Sequence, residues 1–215
     1  MERLILASSS PRRKEILKTL SIPFVSFSPD LDESIYDALK PEFRVQALAE
    51  AKALAVKTAF LAEGRLDVSL SRLRLVIAAD TLVVLGSGSS ITVIGKPSSL
   101  DEARTMLCLL QGKTHRVYSG LCLLDLDTGK RESVVACTTL RFASMTEAEI
   151  VRYLDSEEWI GAAGAYRIQG QASYFIESIR GSWSCVMGLP IRELYGILNR
   201  AGYEFTPEKG VLKTP

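Results

Sequence analysis

The stretch 4-LILASSSPRRKEIL-17, together with 75-LVIAADTLVVL-85 further along the chain, decides the fold. Residues 4–6 are an apolar run of buried-strand length. Pro11 has its φ preset for the first helical position, where a missing N–H costs nothing. The first stretch therefore reads as strand, loop and helix, with the helix starting near Pro11. Ser8, Ser9 and Ser10 fall where unpaired backbone N–H groups and the positive end of the helix dipole face outward. Arg12 and Arg13 add forked cations suited to phosphate oxygens. The order describes an anion cradle. It also fits an ordinary N-cap serine followed by surface arginines, because the G-x-x-x-x-G-K-[ST] pattern of a phosphate loop is missing.

Residues 75–79 form a continuous apolar run, as in a strand buried on both faces, and the reading ends that strand at Asp80. Residues 82–85 and 91–94 flank Gly86-Ser87-Gly88-Ser89-Ser90 and read as a hairpin that brings Lys96 back towards Asp80. Around this centre the pattern predicts a second strand at 22–27 and a polar loop at 29–33 with three carboxylates. A long helix opens at Pro41, contains Lys52 and stops at Gly64, with a connecting loop at 66–74. Ser99 and Glu102 read as a capping box for a helix to about Leu110, with Gly112 as its stop. A second hairpin joins 117–125 to 133–142, Thr146 and Glu149 cap another helix, and residues 174–179 resemble a strand. A last helix starts at Pro190 and runs to about Asn199, and the tail from Thr206 is loose. With no internal repeat or composition break, the expectation is one α/β domain over 1–215 with a mixed sheet.

Composition narrows the partners. The 215 residues are 47% hydrophobic and 24% charged, ordinary globular values. A formal net charge of +1 gives no general attraction to nucleic acid, so a small anionic ligand fits better. No apolar stretch approaches the ~20 residues that span a bilayer, and the apolar run of MERLILASSS is too short for a signal peptide. The expectation is a soluble, cytoplasmic protein with no membrane partner. Cys108, Cys122, Cys137 and Cys185 have no C-x-x-C spacing and read as reduced core thiols. The single histidine, His115, excludes His-rich zinc sites and reads as structural or as a minor ligand contact.

Asp80 is the strongest catalytic candidate. Ligands of open α/β sheets gather at the carboxyl ends of strands, where a carboxylate can bind Mg²⁺ or take a proton from water. Taken alone, Asp80-Thr81 is equally a turn with local hydrogen bonds, and Lys96 before a proline is a solvated loop residue. Together, at opposite feet of one hairpin, they are harder to dismiss. Lys52 fits either a snorkelling surface lysine or a phosphate ligand. Gln169 beside Gly170 places an amide where it could read a base edge. Asp32 and Glu33 are ordinary until tied to a metal.

Read in order, ASSSPRRKEIL, LAEAKA, IAADTLVV, GKP, AGAYRIQG and GLP, from residue 4 to about residue 194, closely resemble the Maf family of nucleoside triphosphate pyrophosphatases. The resemblance implies an α/β fold of the Maf/inosine triphosphate pyrophosphatase kind: a twisted mixed β-sheet flanked by helices, with two lobes around a cleft, assembled as a homodimer. It implies cleavage between the α and β phosphates of a nucleotide with a divalent cation, Mg²⁺ or Mn²⁺. By the family pattern Asp80 is the proton acceptor, Lys96, Lys52, Arg13 and Ser8 surround the phosphates, and Glu33 joins Asp80 at the metal. Arg12, Thr81 and Gln169 correspond to the selectors of the base, and the set resembles the branch acting on dTTP and UTP, with CTP or modified pyrimidine nucleotides as further candidates. A non-catalytic nucleotide-binding regulator of cell division or septum formation is the alternative. The chain departs from the family in longer segments at 63–75 and 86–92, and in Cys185, where the family usually has an asparagine.

Overall fold

The computed structural model describes residues 1–28, 30–62, 73–88 and 90–205. In chain order the elements are β1 (Leu4–Leu6), α1 (Pro11–Thr19), β2 (Phe24–Ser26), α2 (Pro41–Ala62), β3 (Leu75–Leu85), β4 (Thr92–Ile94), α3 (Leu100–Leu110), β5 (Thr114–Asp125), β6 (Arg131–Phe142), α4 (Glu147–Asp155), β7 (Ile176–Arg180), α5 (Trp183–Met187) and α6 (Ile191–Arg200). The strands join in one seven-stranded sheet of order β2-β1-β3-β5-β6-β7, with β4 paired to β3. β1 runs parallel to β2 and β3, while the other pairings are antiparallel, so the sheet is mixed as expected.

Side-chain alternation along β3 divides the core between the two faces of the sheet. Val76 and Ala78 pack with Ala49, Ala53 and Val56 of α2. Leu75, Ile77, Ala79 and Val83 turn to the other face and meet apolar residues of α1, α3, α4 and α6. The small residues of α2 allow a close approach, and Gly120 of β5 allows the closest. A Cβ built on Gly120 would lie 2.2 Å from the Val45 carbonyl oxygen. Gly120 is paired with Asp80 across the β3–β5 ladder, so this contact brings α2 down beside the carboxylate.

Helix starts follow their local chemistry. Thr146 and Glu149 close a full capping box at α4, each side chain bonding the other's backbone N–H. At α3 half of the expected box forms: Ser99 accepts from the Glu102 N–H, while the Glu102 carboxylate accepts from the N–H and hydroxyl of Ser98. Pro11 occupies the first turn of α1 as expected.

Four expectations change, one of them at the strand expected over 174–179: residues 171–175 form a 3-10 helix and β7 begins at Ile176. β3 does not stop at Asp80 but continues to Leu85, because Leu82, Val83 and Val84 are as buried as the residues before it and β5 pairs along the whole length. The second strand is confined to Phe24–Ser26, since Ile22 is held in the turn after α1 by a bond to the Leu17 carbonyl. The four cysteines are free, but only Cys122 and Cys185 are buried; Cys108 and Cys137 are exposed, on the outward faces of α3 and β6. The expected helix stop at Gly64, residues 66–72 of the connecting loop and the tail from Thr206 lie outside the described residues. Among the described residues no helix is long and apolar enough to cross a membrane.

His115 is buried on β5, with Nε2 2.9 Å from the Tyr166 hydroxyl and its ring edge-on to Phe142 and Tyr166. Burial pulls its pKa down to about 4 from an ordinary 6.5. The unfolded chain therefore takes up this proton at a pH where the folded chain does not. Stability is full above pH 6.5 and should fall by roughly 3 kcal/mol as the pH drops to 4, a slope that His115→Phe should flatten in urea titrations. Gly120→Ala should cost on the order of 3 kcal/mol in the same measurement, because the clash is with backbone and α2 must shift to relieve it.

Candidate active site

On the edge of β3 away from β5, β1 reaches only as far as Ile77 and β4 begins only at Val83. Among the described residues, 78–82 thus have no strand partner on that edge, and a cleft of about 430 Å³ opens over the gap. This is a switch point of the sheet, where neighbouring connections part and ligands collect. The cleft is lined by Ser8, Arg12, Arg13, Glu33, Lys52, Asp80, Thr81, Lys96 and Gln169, so the structure gathers every residue expected at the site.

Asp80 and Thr81 are neighbours in a strand and point to opposite faces. Asp80, 7% exposed, turns towards α2 and meets Lys52 there, Nζ to Oδ1 2.6 Å. The same ammonium reaches Glu33 Oε1 at 2.8 Å, so one cation joins the two carboxylates. Asp80 Oδ2 has no protein partner among the described residues. Glu33 begins a single helical turn, Ser34–Tyr36, that is tied down by two further contacts. Asp32 accepts from the N–H and hydroxyl of Ser34, and Asp37 pairs with Arg44 of α2.

Thr81 turns to the other face, where Arg13 spreads its guanidinium over three elements. Nε donates to the Gly188 carbonyl at 2.8 Å, Nη1 to Ser8 Oγ at 3.0 Å and Nη2 to Thr81 Oγ1 at 3.2 Å. Gly188 has φ +103°, and a Cβ there would approach Thr81 Oγ1 to 3.1 Å, so glycine suits this junction. Ser8 Oγ also accepts from the Ser10 N–H. Having accepted twice, the Ser8 hydroxyl has its own proton left to donate. Burial lowers the Arg13 pKa, and the charges of Asp80 and Glu33 offset part of that shift. Arg13 is thus a strut of the cleft wall with two N–H groups remaining, rather than an open fork.

Arg12 leaves α1 in another direction. Its pKa is pulled down to about 10 by burial and then by the like charges of Arg13 and Arg167, partly offset by Tyr153. It remains a cation at neutral pH. Lys96 is exposed at the rim on the segment after β4, which is tied to the 163–165 turn by the bond from Gly164 N–H to the Gly95 carbonyl. Gln169 Oε1 is buried without a partner among the described residues.

Two lining residues were missed by the sequence reading, Arg44 and Arg167. Both carry a buried Nε with no partner among the described residues. Each left a signal. Arg44 stands two helical steps of four before Lys52, on the same stripe of α2. Burial alternates along 166–169, with Tyr166 and Ile168 in the core, so Arg167 and Gln169 share the outward side. With these two, the lining carries six cations among the described residues, Arg12, Arg13, Arg44, Lys52, Lys96 and Arg167, against Glu33 and Asp80.

A sheet-edge cleft with a surplus of four positive charges defines an α/β protein that takes a compact polyanion. Sequence comparison narrows that class. The family model described as Maf-like protein matches residues 3–201. The dTTP/UTP pyrophosphatase of Desulforamulus reducens is 42% identical over 205 residues, covering 95% of this chain and 99% of its own. That of Treponema denticola is 41% identical over 207 residues, covering 94% and 98%. The chain belongs to the Maf family. Among solved structures, a dITP/XTP pyrophosphatase from Mycobacterium abscessus aligns over 92% of this chain and 94% of its own, with 11% identity and a TM-score of 0.40.

Arg13→Lys tests the strut. A lysine cannot reach three acceptors on three elements, so the loss should be on the order of 2 kcal/mol in urea unfolding even though the charge is kept. An unchanged midpoint would show that the three bonds do not hold the wall.

Proposed function

We propose that this protein hydrolyses dTTP and UTP to the nucleoside monophosphate and pyrophosphate. The observation that carries the reading is the pair of carboxylates, Asp80 and Glu33, set on one ammonium inside a cleft whose described lining has a net charge of +4, which matches a triphosphate. The names of the relatives at about 40% identity support the same substrate.

The reaction follows from where charge builds. A water attacks the α phosphorus, its oxygen forms the new bond, and the bond to the bridging oxygen breaks with its electron pair leaving on pyrophosphate. Asp80 Oδ2, the oxygen not held by Lys52, takes the proton. Lys52, Lys96, the Ser8 hydroxyl and Arg44 surround the phosphate oxygens and stabilise the charge of the leaving group. Arg13 keeps Ser8 in place.

The donor set also fits a divalent cation. Asp80 and Glu33 already converge on the Lys52 ammonium, and hard oxygen donors suit Mg²⁺ or Mn²⁺. Among the described residues no group of three or more His, Cys, Asp or Glu gathers, so phosphate oxygens and water would complete the shell, as is usual for Mg²⁺. Glu33 and Asp80 would hold the ion, which when bound neutralises charge on the phosphates.

Arg12 and Gln169 read the base in this proposal. Uracil and thymine share an N3–H between two carbonyl oxygens, and the Gln169 Oε1 acceptor with the Arg12 donors complements that edge. Cytosine has a lone pair at N3 and an amino group beside it, so CTP fits less well. A homodimer and a cytoplasmic setting come with the family resemblance.

The test is product identity by ion-exchange chromatography after incubation with a nucleotide panel and Mg²⁺ or Mn²⁺. The monophosphate and pyrophosphate are expected. Orthophosphate with a diphosphate, or binding without turnover, would overturn the reading. Asp80→Asn should lower kcat by about 10²–10⁴. Gln169→Leu should narrow the UTP to CTP ratio of kcat/KM by about tenfold or more, since it removes a polar group built to pair with the base.

A further inference from the structure

Ser119 lies on β5 beneath the cleft, fully buried and absent from its lining, yet it sits at the end of a hydrogen-bond chain whose direction can be worked out. Arg13 is a donor only, so Thr81 Oγ1 accepts from Nη2 at 3.2 Å. The Cys185 carbonyl is an acceptor only, so Ser119 Oγ donates to it at 2.8 Å. Between them Thr81 Oγ1 and Ser119 Oγ are 2.9 Å apart, and the one proton left for that bond is the threonine's. The chain runs one way: Arg13 to Thr81 to Ser119 to the Cys185 carbonyl. Thr81 and Ser119 are cross-strand partners, which puts their side chains on one face. The Cys185 thiol lies beside Ser119 and Thr138 and sends its own proton towards the Val117 carbonyl at 3.6 Å, so the Ser119 proton is left for the Cys185 carbonyl.

We propose that Ser119 is a positioning residue that acts through Thr81 and Arg13 to present the Ser8 hydroxyl proton to the phosphates. The Thr81 hydroxyl is spent within the chain and has no proton to offer a base. Its acceptance from Nη2 fixes the guanidinium plane, which aims Nη1 at Ser8 Oγ. With the Ser10 N–H as second donor, the Ser8 proton is left for the ligand. The chain also ties α5 to the sheet, because Cys185 lies in that helix and Gly188 follows it. The inference rests on the reading of the cleft as a triphosphate site.

The experiment measures the Kd of α,β-imido-UTP and α,β-imido-CTP, which does not require turnover, beside kcat/KM for UTP. Ser119→Ala and Thr81→Val should each weaken both analogues about tenfold and equally, and the double variant should be no weaker than either single one, since both cut the same chain. Thr81→Ser, which keeps the hydroxyl, should recover most of the loss seen with valine. Additive losses, a changed UTP to CTP ratio in either variant, or binding within twofold of wild type would overturn the proposal. If Ser119→Ala does not fold, the two Thr81 variants decide, since they alter a half-buried side chain: valine changing the base ratio would mean that Thr81 reads the base itself. A wild type that binds the analogue but does not cleave UTP would refute the enzymatic reading and leave the Kd comparison to decide on the chain. A wild type that binds neither analogue would refute both.

Discussion

A carboxylate in the middle of a central strand is the constraint on which the rest of the molecule depends. Asp80, with Thr81 after it, interrupts a run from Leu75 to Leu85 otherwise given over to core packing, and its side chain is only 10% exposed. An uncompensated charge there costs several kcal/mol. The fold answers with the ammonium of Lys52, which requires α2 to lie close on the sheet. That closeness is allowed by the alanines of α2 and by Gly120 directly across the ladder from Asp80. The ion pair, the helix approach and the missing Cβ are one device seen at three levels. The cleft opens beside Asp80 at the edge of β3, where among the described residues β1 has ended and β4 has not begun.

Much of this was legible in the chain. Apolar runs bounded by glycine and proline located the strands and long helices, because burial on both faces and the fixed φ of proline act over a few residues. Thr146 and Glu149 announced α4 for the same reason. The end of β3 was misread because a local pattern treats Asp80-Thr81 as an interruption, whereas continuous pairing with β5 carries the strand through. α5 went unread: it is five residues long, with no side-chain cap at its start, and is secured by tertiary bonds to Ser119 and Arg13. The membership of Arg44 and Arg167 in the cleft depends on which helical stripe and which side of the 166–169 segment meets it, and their spacing from Lys52 and Gln169 gains meaning only once those two are placed.

The cleft is also unequal in how far its polar groups are already satisfied. Lys52 and Asp80 are committed to each other on one face of β3, and Arg13, Thr81 and Ser8 on the other. Arg44 Nε, Arg167 Nε and Gln169 Oε1 remain buried and unpaired among the described residues, which is costly in a folded protein unless a ligand supplies the partner. In the proposed reading the committed groups give geometry, and the uncommitted ones are left to pair with the substrate. A site arranged this way discriminates by what it leaves unsatisfied when the wrong ligand enters.

Two dipeptides show how neighbouring residues come to separate tasks. Asp80 and Thr81, on opposite faces of a strand, divide between the Lys52 ammonium of α2 and the hydroxyl chain beneath α5. Arg12 and Arg13, about 100° apart around a helix, divide between the 167–169 end of the cleft and the Ser8 loop. Secondary structure alone enforces both divisions, since period two and period 3.6 cannot send adjacent side chains the same way. In the proposed reading a single cleft can therefore hold a phosphate end and a base end built from consecutive residues, provided that both elements enter it at their edges. The gap in the partner of β3 is what lets a strand do so, and the N-terminus of α1, facing that gap, is what lets the helix do so.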